Sequence, residues 1–553
     1  MRTLDRKLLR DLAEMKGQTV AIGAVIAAGV AMFVMFLTAL DSLSGTQAAY
    51  YDRNRFADVF ANLKRAPRSL IARLEEIPGV SRVETRVVEQ VTLDLPDLAE
   101  PAVARLISLP ERREPTLNAP HLRGGRMVAP GTRRGEVVAS EAFANAHRLQ
   151  PGDTVSAVIN NSRESLRLVG TALSPEYVAV VPPGELIPSD ERFGVFWMGY
   201  DELAAAFDLD GAFNDVALDL APGASEPEVI RRLDRLLAPY GGLGAYGRDD
   251  QLSHQFVSEE LKQLRSTGTV APMIFLAVAA FLLNVVLNRV INTQREQIGA
   301  LKAFGYGRLE LATHYLKLAL LISGAGAVVG SAVGAWLAKG LTALYAQFYH
   351  FPSFEIRLDV RTIALAFAVS IGAAVFGVAG AVRRVAQLPP AAAMRPEPPA
   401  SFRPTIVERA GLQRFFAQTT RMILRQLERR PFKSLLSSLG IALAVAILVV
   451  GNFSQDAVGY LMDFQFNIAE RQDLTVTFVE TRSSDALREI ARLRGVRRAE
   501  PFRSVPARLR FDHRSRRVGI MGVGSGADLK RLIGQVSALV EHFFDIGVAK
   551  FQR

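Results

Sequence analysis

The sequence predicts an α-helical multi-span membrane protein that carries a sizeable α+β domain outside the bilayer. Five stretches, 17–40, 266–288, 318–338, 362–382 and 434–455, contain no Asp, Glu, Lys or Arg, and each runs 21 to 24 residues. About 20 helical residues cross the ~30 Å hydrocarbon core, so every one of them is long enough to span. The 553-residue chain is nevertheless 22% charged and 49% hydrophobic, too apolar for a purely soluble protein and too charged for a purely membrane one. The net charge of +11 is also unevenly placed. Residues 1–16, 289–317 and 383–433 hold 21 Lys and Arg against 8 Asp and Glu, which leaves the rest of the chain slightly acidic. Basic excess beside apolar runs sets topology, and it points to membrane lipid as a partner rather than to nucleic acid.

Residues 1–40 read as a basic amphipathic helix followed by the first span. That span exceeds the 7–15 residues of a signal-peptide core and has no A-x-A site near its end, so an uncleaved anchor is expected. With the N-terminus inside, all three basic segments share one side. The short loop on the other side, 339–361, has only Lys339, Arg357 and Arg361 as basic residues. Residues 41–265 then form a first external domain. Within it, 58–64, 82–95 and 214–220 read as strands and 69–77 and 226–237 as helices, a ferredoxin-like split βαβ core. The insertion at about 100–205 reads as a small β subdomain, from β-rich stretches at 135–138, 154–158 and 166–169. Span two (266–288), an inner loop (289–317), span three (318–338), the outer loop (339–361) and span four (362–382) follow. A Pro- and Arg-rich linker with an amphipathic helix (383–433) leads to span five (434–455), and 456–553 begins a second external domain. Two stripes of small residues, Gly326, Gly330 and Gly334 in span three and Ala373, Gly377 and Ala381 in span four, make flat surfaces for close helix approach. The alternative is ordinary Gly and Ala abundance in membrane helices.

The chain repeats itself weakly. LLRDLAEMKGQTVAIGAVIAAGVAM from Leu8 parallels ILRQLERRPFKSLLSSLGIALAVAI from Ile423, and LIARLEEIPGVSRVE from Leu70 parallels LREIARLRGVRRAE from Leu487. Gly79-Val80 pairs with Gly495-Val496. On this pattern a four-span unit is followed by a second unit holding one span and about a hundred external residues. A truncated or frameshifted chain, or half of a split gene, is the expectation.

Much chemistry is excluded. There is no cysteine, hence no disulfide, no Cys-ligated metal and no thiol nucleophile. No Gly-Lys pair occurs, so there is no Walker A loop. Leu43-Ser44-Gly45-Thr46-Gln47 approximates an ABC signature but has no nucleotide fold around it, and Gly522–Gly526 does not fit G-x-G-x-x-G. The seven histidines are scattered. No charge lies inside a span, which weighs against an ion path. Asn284 is the nearest polar feature, and a helix-packing hydrogen bond is expected there. No catalytic residue, metal or cofactor is assigned, so energy must come from a partner.

The segment 289–317, RVINTQREQIGALKAFGYGRLELATHYLK, stands out. Ile291, Ile298, Leu301 and Phe304 can share an apolar side, with Arg295, Glu296 and Lys302 polar and Gly305-Tyr306-Gly307 breaking the helix. Such a helix either lies on lipid or docks in a partner's groove. The string Arg295-Glu296-Gln297-Ile298-Gly299-Ala300-Leu301-Lys302-Ala303-Phe304-Gly305 resembles the coupling segment of FtsX-like (MacB-like) ABC transporter permeases. Glu428-Arg429-Arg430-Pro431 and residues 169–178 are similar to that family as well. The resemblance implies a separate cytoplasmic ABC ATPase contacted through Arg295, Glu296, Ile298, Gly299, Leu301, Lys302, Phe304 and Gly305. It further implies a bacterial inner-membrane location, a periplasmic domain, and export or mechanotransmission acting on a hydrophobic or lipidated substrate, with a periplasmic adaptor as a further partner in some systems. The competing readings are a membrane-anchored periplasmic sensor or binding module without an ATPase, and an inactive truncated permease.

Overall fold

The computed structural model describes residues 3–95, 102–131, 135–160, 162–180, 189–394, 431–478, 482–511, 514–524 and 526–531, with 182, 420 and 423 as isolated positions. The linker expected at 383–433 falls largely outside the described residues. The chain divides into two compact units, 1–440 and 441–553.

The first unit begins with α1 (Thr3–Glu14) and α2 (Lys16–Asn54). The uncharged run 17–40 lies within α2, which stops where Arg55 adopts a left-handed conformation at φ 50°. At 1.5 Å per residue, α2 is about 58 Å long, roughly twice the hydrocarbon thickness. It therefore continues unbroken into the α/β region.

That region contains two sheets. Its elements are β1 (Val59–Pro67), α3 (Ile71–Glu75), β2 (Val80–Arg86), β3 (Val88–Asp94), β4 (Ala102–Leu109), β5 (His121–Gly125), β6 (Glu136–Ser140), α4 (Glu141–Ala146), β7 (Thr154–Ile159), β8 (Ser162–Leu173), β9 (Phe193–Gly199), α5 (Tyr200–Ala206), β10 (Ala212–Leu220), α6 (Glu226–Leu237) and β11 (Tyr246–Gly247). The first sheet is antiparallel in the order β11-β1-β10-β2. Leu70 and Leu74, with Val229, Leu233 and Leu237 of α6, pack on its Val59, Ala61, Phe213, Val216 and Leu218. The second has seven strands in the order β5-β8-β6-β9-β4-β3-β7, and β7 also pairs with β8. The circuit β8-β6-β9-β4-β3-β7 thus closes on itself, so its six strands have neighbours on both sides and β5, paired with β8 alone, is left as the edge strand. Leu93, Ala104, Leu106, Val137, Phe143 and Phe196 are buried in its core.

Two sequence readings need correction here. The insertion is not a small β subdomain, since its sheet is larger than the four-stranded one. The strand read at 82–95 is two strands in two different sheets, divided at Val87. The backbone N–H of buried Val87 donates to Ser108 Oγ at 2.8 Å, and Arg86 turns its guanidinium into a buried cluster. Hydrophobic alternation runs straight through the break, so periodicity alone misses it.

Arg86 ties the two sheets together. It makes two bonds to Glu176, at 2.5 and 2.9 Å, and its Nε donates to Asp215 at 2.8 Å. Asn62 Nδ2 donates to the other Asp215 oxygen at 2.9 Å, and Gln251 Nε2 donates to the Glu176 carbonyl at 2.7 Å. All of these groups except Asn62 belong to buried residues. Removing one partner of such a cluster would strand a buried charge, at a cost of about 3–5 kcal/mol.

The bundle is completed by α7 (Leu252–Thr293), α8 (Arg295–Ala303), α9 (Arg308–Phe348), α10 (Val360–Gln387) and α11 (Pro390–Ala393). Among the described residues, four helices, α2, α7, α9 and α10, are long and apolar enough to cross a membrane. Gly326, Gly330 and Gly334 of α9 face the backbone of α2. A Cβ at Gly330 would sit 2.6 Å from the Ala27 carbonyl oxygen, and one at Gly334 would sit 2.7 Å from that of Ala31. Gly377 of α10 meets Ala280 of α7 in the same way, and Asn284 Nδ2 donates to the Gly377 carbonyl at 2.6 Å. The buried line of α10 runs Ala366, Ser370, Ala374, Val378, Ala381 and Val385, with Ala373 and Gly377 half-buried beside it. A strict four-residue spacing drifts off a 3.6-residue turn, so one three-residue step, Val378 to Ala381, restores the line.

The connection between α9 and α10 meets the α/β region. His350 N donates to the Val178 carbonyl at 2.9 Å, and Arg357 N donates to Ser42 Oγ at 3.0 Å. Phe351 is buried in the cluster that holds Leu43, Tyr50, Phe56, Leu117, Leu173 and Val178.

In the second unit, α12 (Pro431–Asp463) contains residues 434–455 and crosses the division between the units. It is followed by α13 (Ser484–Ala491) and a hairpin of β12 (Phe502–Phe511) and β13 (Arg514–Val523). Gly79 after α3 and Gly495 after α13, paired in the sequence repeat, have the same φ of +94°.

Candidate functional site

The site lies where α1, α8, the start of α9 and the end of α10 converge. Gln294 separates α7 from α8, and Gly305, with φ +95°, ends the turn after α8. A positive φ is cheap only for glycine, so the chain reverses there without strain. Glu310 Oε2 then accepts from the Gly307 N–H at 2.9 Å, closing the first turn of α9.

α8 has two distinct sides. Ile298, 1% exposed, packs with Leu8 of α1, Ile291 of α7, Leu311 and Tyr315 of α9 and Val385 of α10. Gly299 is buried, and Arg295 and Leu301 are half-buried. Glu296 and Gly305 are exposed. Phe304 is 82% exposed and Leu309 76%. Phe304 therefore does not share the apolar side of Ile291, Ile298 and Leu301. Its N–H still bonds the Ala300 carbonyl at 2.9 Å, so it follows the helical path, and six residues of about 100° each put it roughly 120° around the helix from Ile298.

Lys302 departs from its expected place as a polar surface residue of α8. Its Nζ donates to three main-chain carbonyls at the end of α10 and just beyond: Val385 at 2.7 Å, Ala386 at 3.2 Å and Leu388 at 2.6 Å. The last carbonyls of a helix lack intrahelical donors, and a cation there also meets the negative end of the helix dipole.

A second polar cluster holds the other end of α8. Lys7 Nζ donates to Asp11 Oδ2 at 2.7 Å and to Gln294 Oε1 at 2.8 Å. Gln294 Nε2 donates to Asp11 Oδ1 at 2.9 Å, and the Tyr315 hydroxyl donates to Gln294 Oε1 at 3.0 Å. His314 Nε2 lies 3.4 Å from Asp11 Oδ2. Burial pushes the Asp11 carboxyl up, but the bonds from His314, Lys7 and Gln294 outweigh it and hold the group below its ordinary 3.8. Lys7, Asp11, Gln294, His314 and Tyr315 were not singled out from sequence. The Lys7 and Asp11 pair at i, i+4 was a weak local signal, and nothing in the sequence links it to a glutamine 283 positions away. Among the described residues, no group of three His, Asp or Glu is arranged to hold a metal ion.

Comparison with known proteins gives a family match over part of the chain. Residues 269–390, from within α7 to the start of α11, match the model described as FtsX-like permease C-terminal. The crystal structure of the periplasmic region of MacB from Actinobacillus actinomycetemcomitans aligns at 12% identity, covering 38% of this chain and 94% of that one, with a TM-score of 0.25. The extracellular domain of the noncanonic ABC-type transporter YknZ from Gram-positive bacteria aligns at 12% identity over 34% of this chain and 97% of that one, TM-score 0.22. A domain of a putative permease protein from Porphyromonas gingivalis aligns at 14% identity over 37% and 96%, TM-score 0.22. No curated protein matches the chain. What is similar to the C-terminal part of FtsX-like permeases is thus the stretch 269–390, about a fifth of the chain.

Proposed function

We propose that this chain is the membrane subunit of an ABC system in a bacterial inner membrane, driven by a separate cytoplasmic ATPase that docks on α8. The observation that carries the reading is the division of labour on that helix. Ile298 and Lys302 are committed inward, while Glu296 on the helix, Phe304 just past its end and Leu309 at the start of α9 remain outward around a short element fastened at both ends. An exposed aromatic flanked by an aliphatic and a charged residue is a suitable anchor for a partner's groove. The four apolar helices support a multi-pass topology with the α/β region in the periplasm, and the β11-β1-β10-β2 order supports a ferredoxin-like core. Because α2 and α7 run unbroken from the bundle into that region, a displacement at α8 reaches the periplasm through rigid helices. Export of a hydrophobic or lipidated substrate, or mechanical work outside, both follow from such a lever.

Co-purification tests the reading. The chain extracted from its native membrane should retain an ABC ATPase whose hydrolysis rate it alters. A Glu296→Lys, Phe304→Asp double variant should reduce the retained ATPase at least tenfold while leaving the melting temperature of the chain within a few degrees. If no ATPase is retained by the unaltered chain, a periplasmic sensor or binding module becomes the better reading. Labelling Phe304→Cys in this cysteine-free chain checks the side: protection from a membrane-impermeant thiol reagent in intact cells is expected.

A further inference from the structure

We propose that Lys302 is a positioning residue that fastens α8 to the C-terminus of α10, and that its ammonium makes no contact with the docked ATPase. The inference rests on the ABC reading above for what α8 is for, but the fastening itself stands on geometry. A lysine ammonium has three donors and no acceptor. All three are satisfied by the carbonyls of Val385, Ala386 and Leu388, at 2.6 to 3.2 Å. None is left for a carboxylate on a partner. The carbonyls need the contact as well. Pro389 and Pro390 supply no N–H to continue the α10 ladder, so its end has few backbone donors of its own. The residue is half-buried. Short α11 follows immediately and packs on α8 as well.

The consequence is directional. α8 is joined to α1 and α9 through Gln294 at its start and to α10 through Lys302 at its end. A push on Phe304, two residues beyond Lys302, therefore reaches α10 through that one polar link. Without it the C-terminal end of α8 would be held to α10 by apolar packing alone, around Leu301 and Val385 and through α11, and α10 would lag behind the movement of α9.

Two spin labels, at Ala303→Cys and Ala391→Cys, test this in the full chain in lipid nanodiscs; both positions are exposed. The unaltered pair should give a narrow distance distribution. Lys302→Met, which keeps the stem and removes the charge and donors, should at least double its width, and Lys302→Arg, which restores a cation with several donors, should bring most of the narrowness back. With the co-purified ATPase present, Lys302→Met should retain the ATPase within twofold of the unaltered chain while its effect on the hydrolysis rate falls at least fivefold. Two results overturn the proposal: an unchanged distance distribution in Lys302→Met, or loss of the ATPase from Lys302→Met as complete as from the Glu296→Lys, Phe304→Asp variant. If the unaltered chain retains no ATPase, the proposed function fails, and the label distances still decide whether Lys302 holds the two helices together.

Discussion

Single glycines set how closely the bundle can pack. At Gly330 the obstacle to a side chain is the backbone of α2, with the Ala27 carbonyl oxygen 2.6 Å and the Ala27 Cα 3.0 Å from where a Cβ would stand. Backbone cannot rotate away as a side-chain end can, so a methyl group there forces the helices apart. Gly340, in the same helix, has nothing within 4 Å of its Cβ position. Gly330→Ala is expected to cost about 1–3 kcal/mol through overpacking, whereas Gly340→Ala should be neutral or stabilising by up to about 1 kcal/mol through helix propensity. Thermal unfolding of the two variants in the same detergent separates them. Equal melting temperatures would mean that α2 and α9 do not approach as closely as described. The four-residue spacing of Gly326, Gly330 and Gly334 is visible in the sequence, because small residues in register make a stripe on any helix. Which helix lies against it is not visible, since the contact with Ala27 joins positions some 300 residues apart.

Elements were legible where local pattern and burial agree. α6 occupies the residues read as a helix from Glu226 to Leu237, because its apolar side repeats cleanly as Val229, Leu233 and Leu237. Pattern alone misses Val87, where alternation continues across a change of sheet, and Phe304, which stands roughly 120° around the helix from Ile298 and so off its buried side. The bonds of Lys302 are not legible for a related reason: a lysine on a helix gives no local sign of the second helix terminus that is brought beside it. The seating of α1 depends on the cluster around Asp11, and it carries a sign. The Asp11 carboxyl is held below its ordinary 3.8, so its contribution is complete above that value and disappears as pH falls through the lowered one. Lys7 on α1, Gln294 before α8, and His314 and Tyr315 on α9 are the groups facing it. A spin label at exposed Arg6→Cys should stay immobilised from neutral pH down to about pH 4 and become mobile only in stronger acid. In Asp11→Asn the label should be mobile throughout that range. Mobility of the unaltered helix already at pH 6, or an Asn variant as immobile as the parent, would show that apolar packing around Leu8 seats α1 by itself.

At the scale of the first unit, the α/β region is held to the bundle at three places rather than two. α2 enters it and α7 leaves it as continuous helices, of about 58 and 63 Å at 1.5 Å per residue. The loop after α9 adds a third attachment through His350, Phe351 and Arg357. Two attachments alone would allow rocking about the line joining them; a third point off that line removes this freedom, provided the region is itself stiff. The Arg86, Glu176 and Asp215 cluster supplies that stiffness where the two sheets and the start of α7 meet. Replacing exposed Lys262 by proline would break α7 between bundle and sheets, removing a backbone bond and clashing one turn back, at about 3 kcal/mol. With α2 and the loop intact, the region should stay in place. Labels at Glu75→Cys on α3 and Val270→Cys in the apolar part of α7 should therefore show a narrow distance distribution in the parent and only slight broadening in Lys262→Pro. Adding Phe351→Ala, which empties the third attachment, should widen it well beyond the sum of the two single effects, because each support masks the loss of the other. If Lys262→Pro alone gives the full width, α7 is the sole strut and the loop merely rests against the domain.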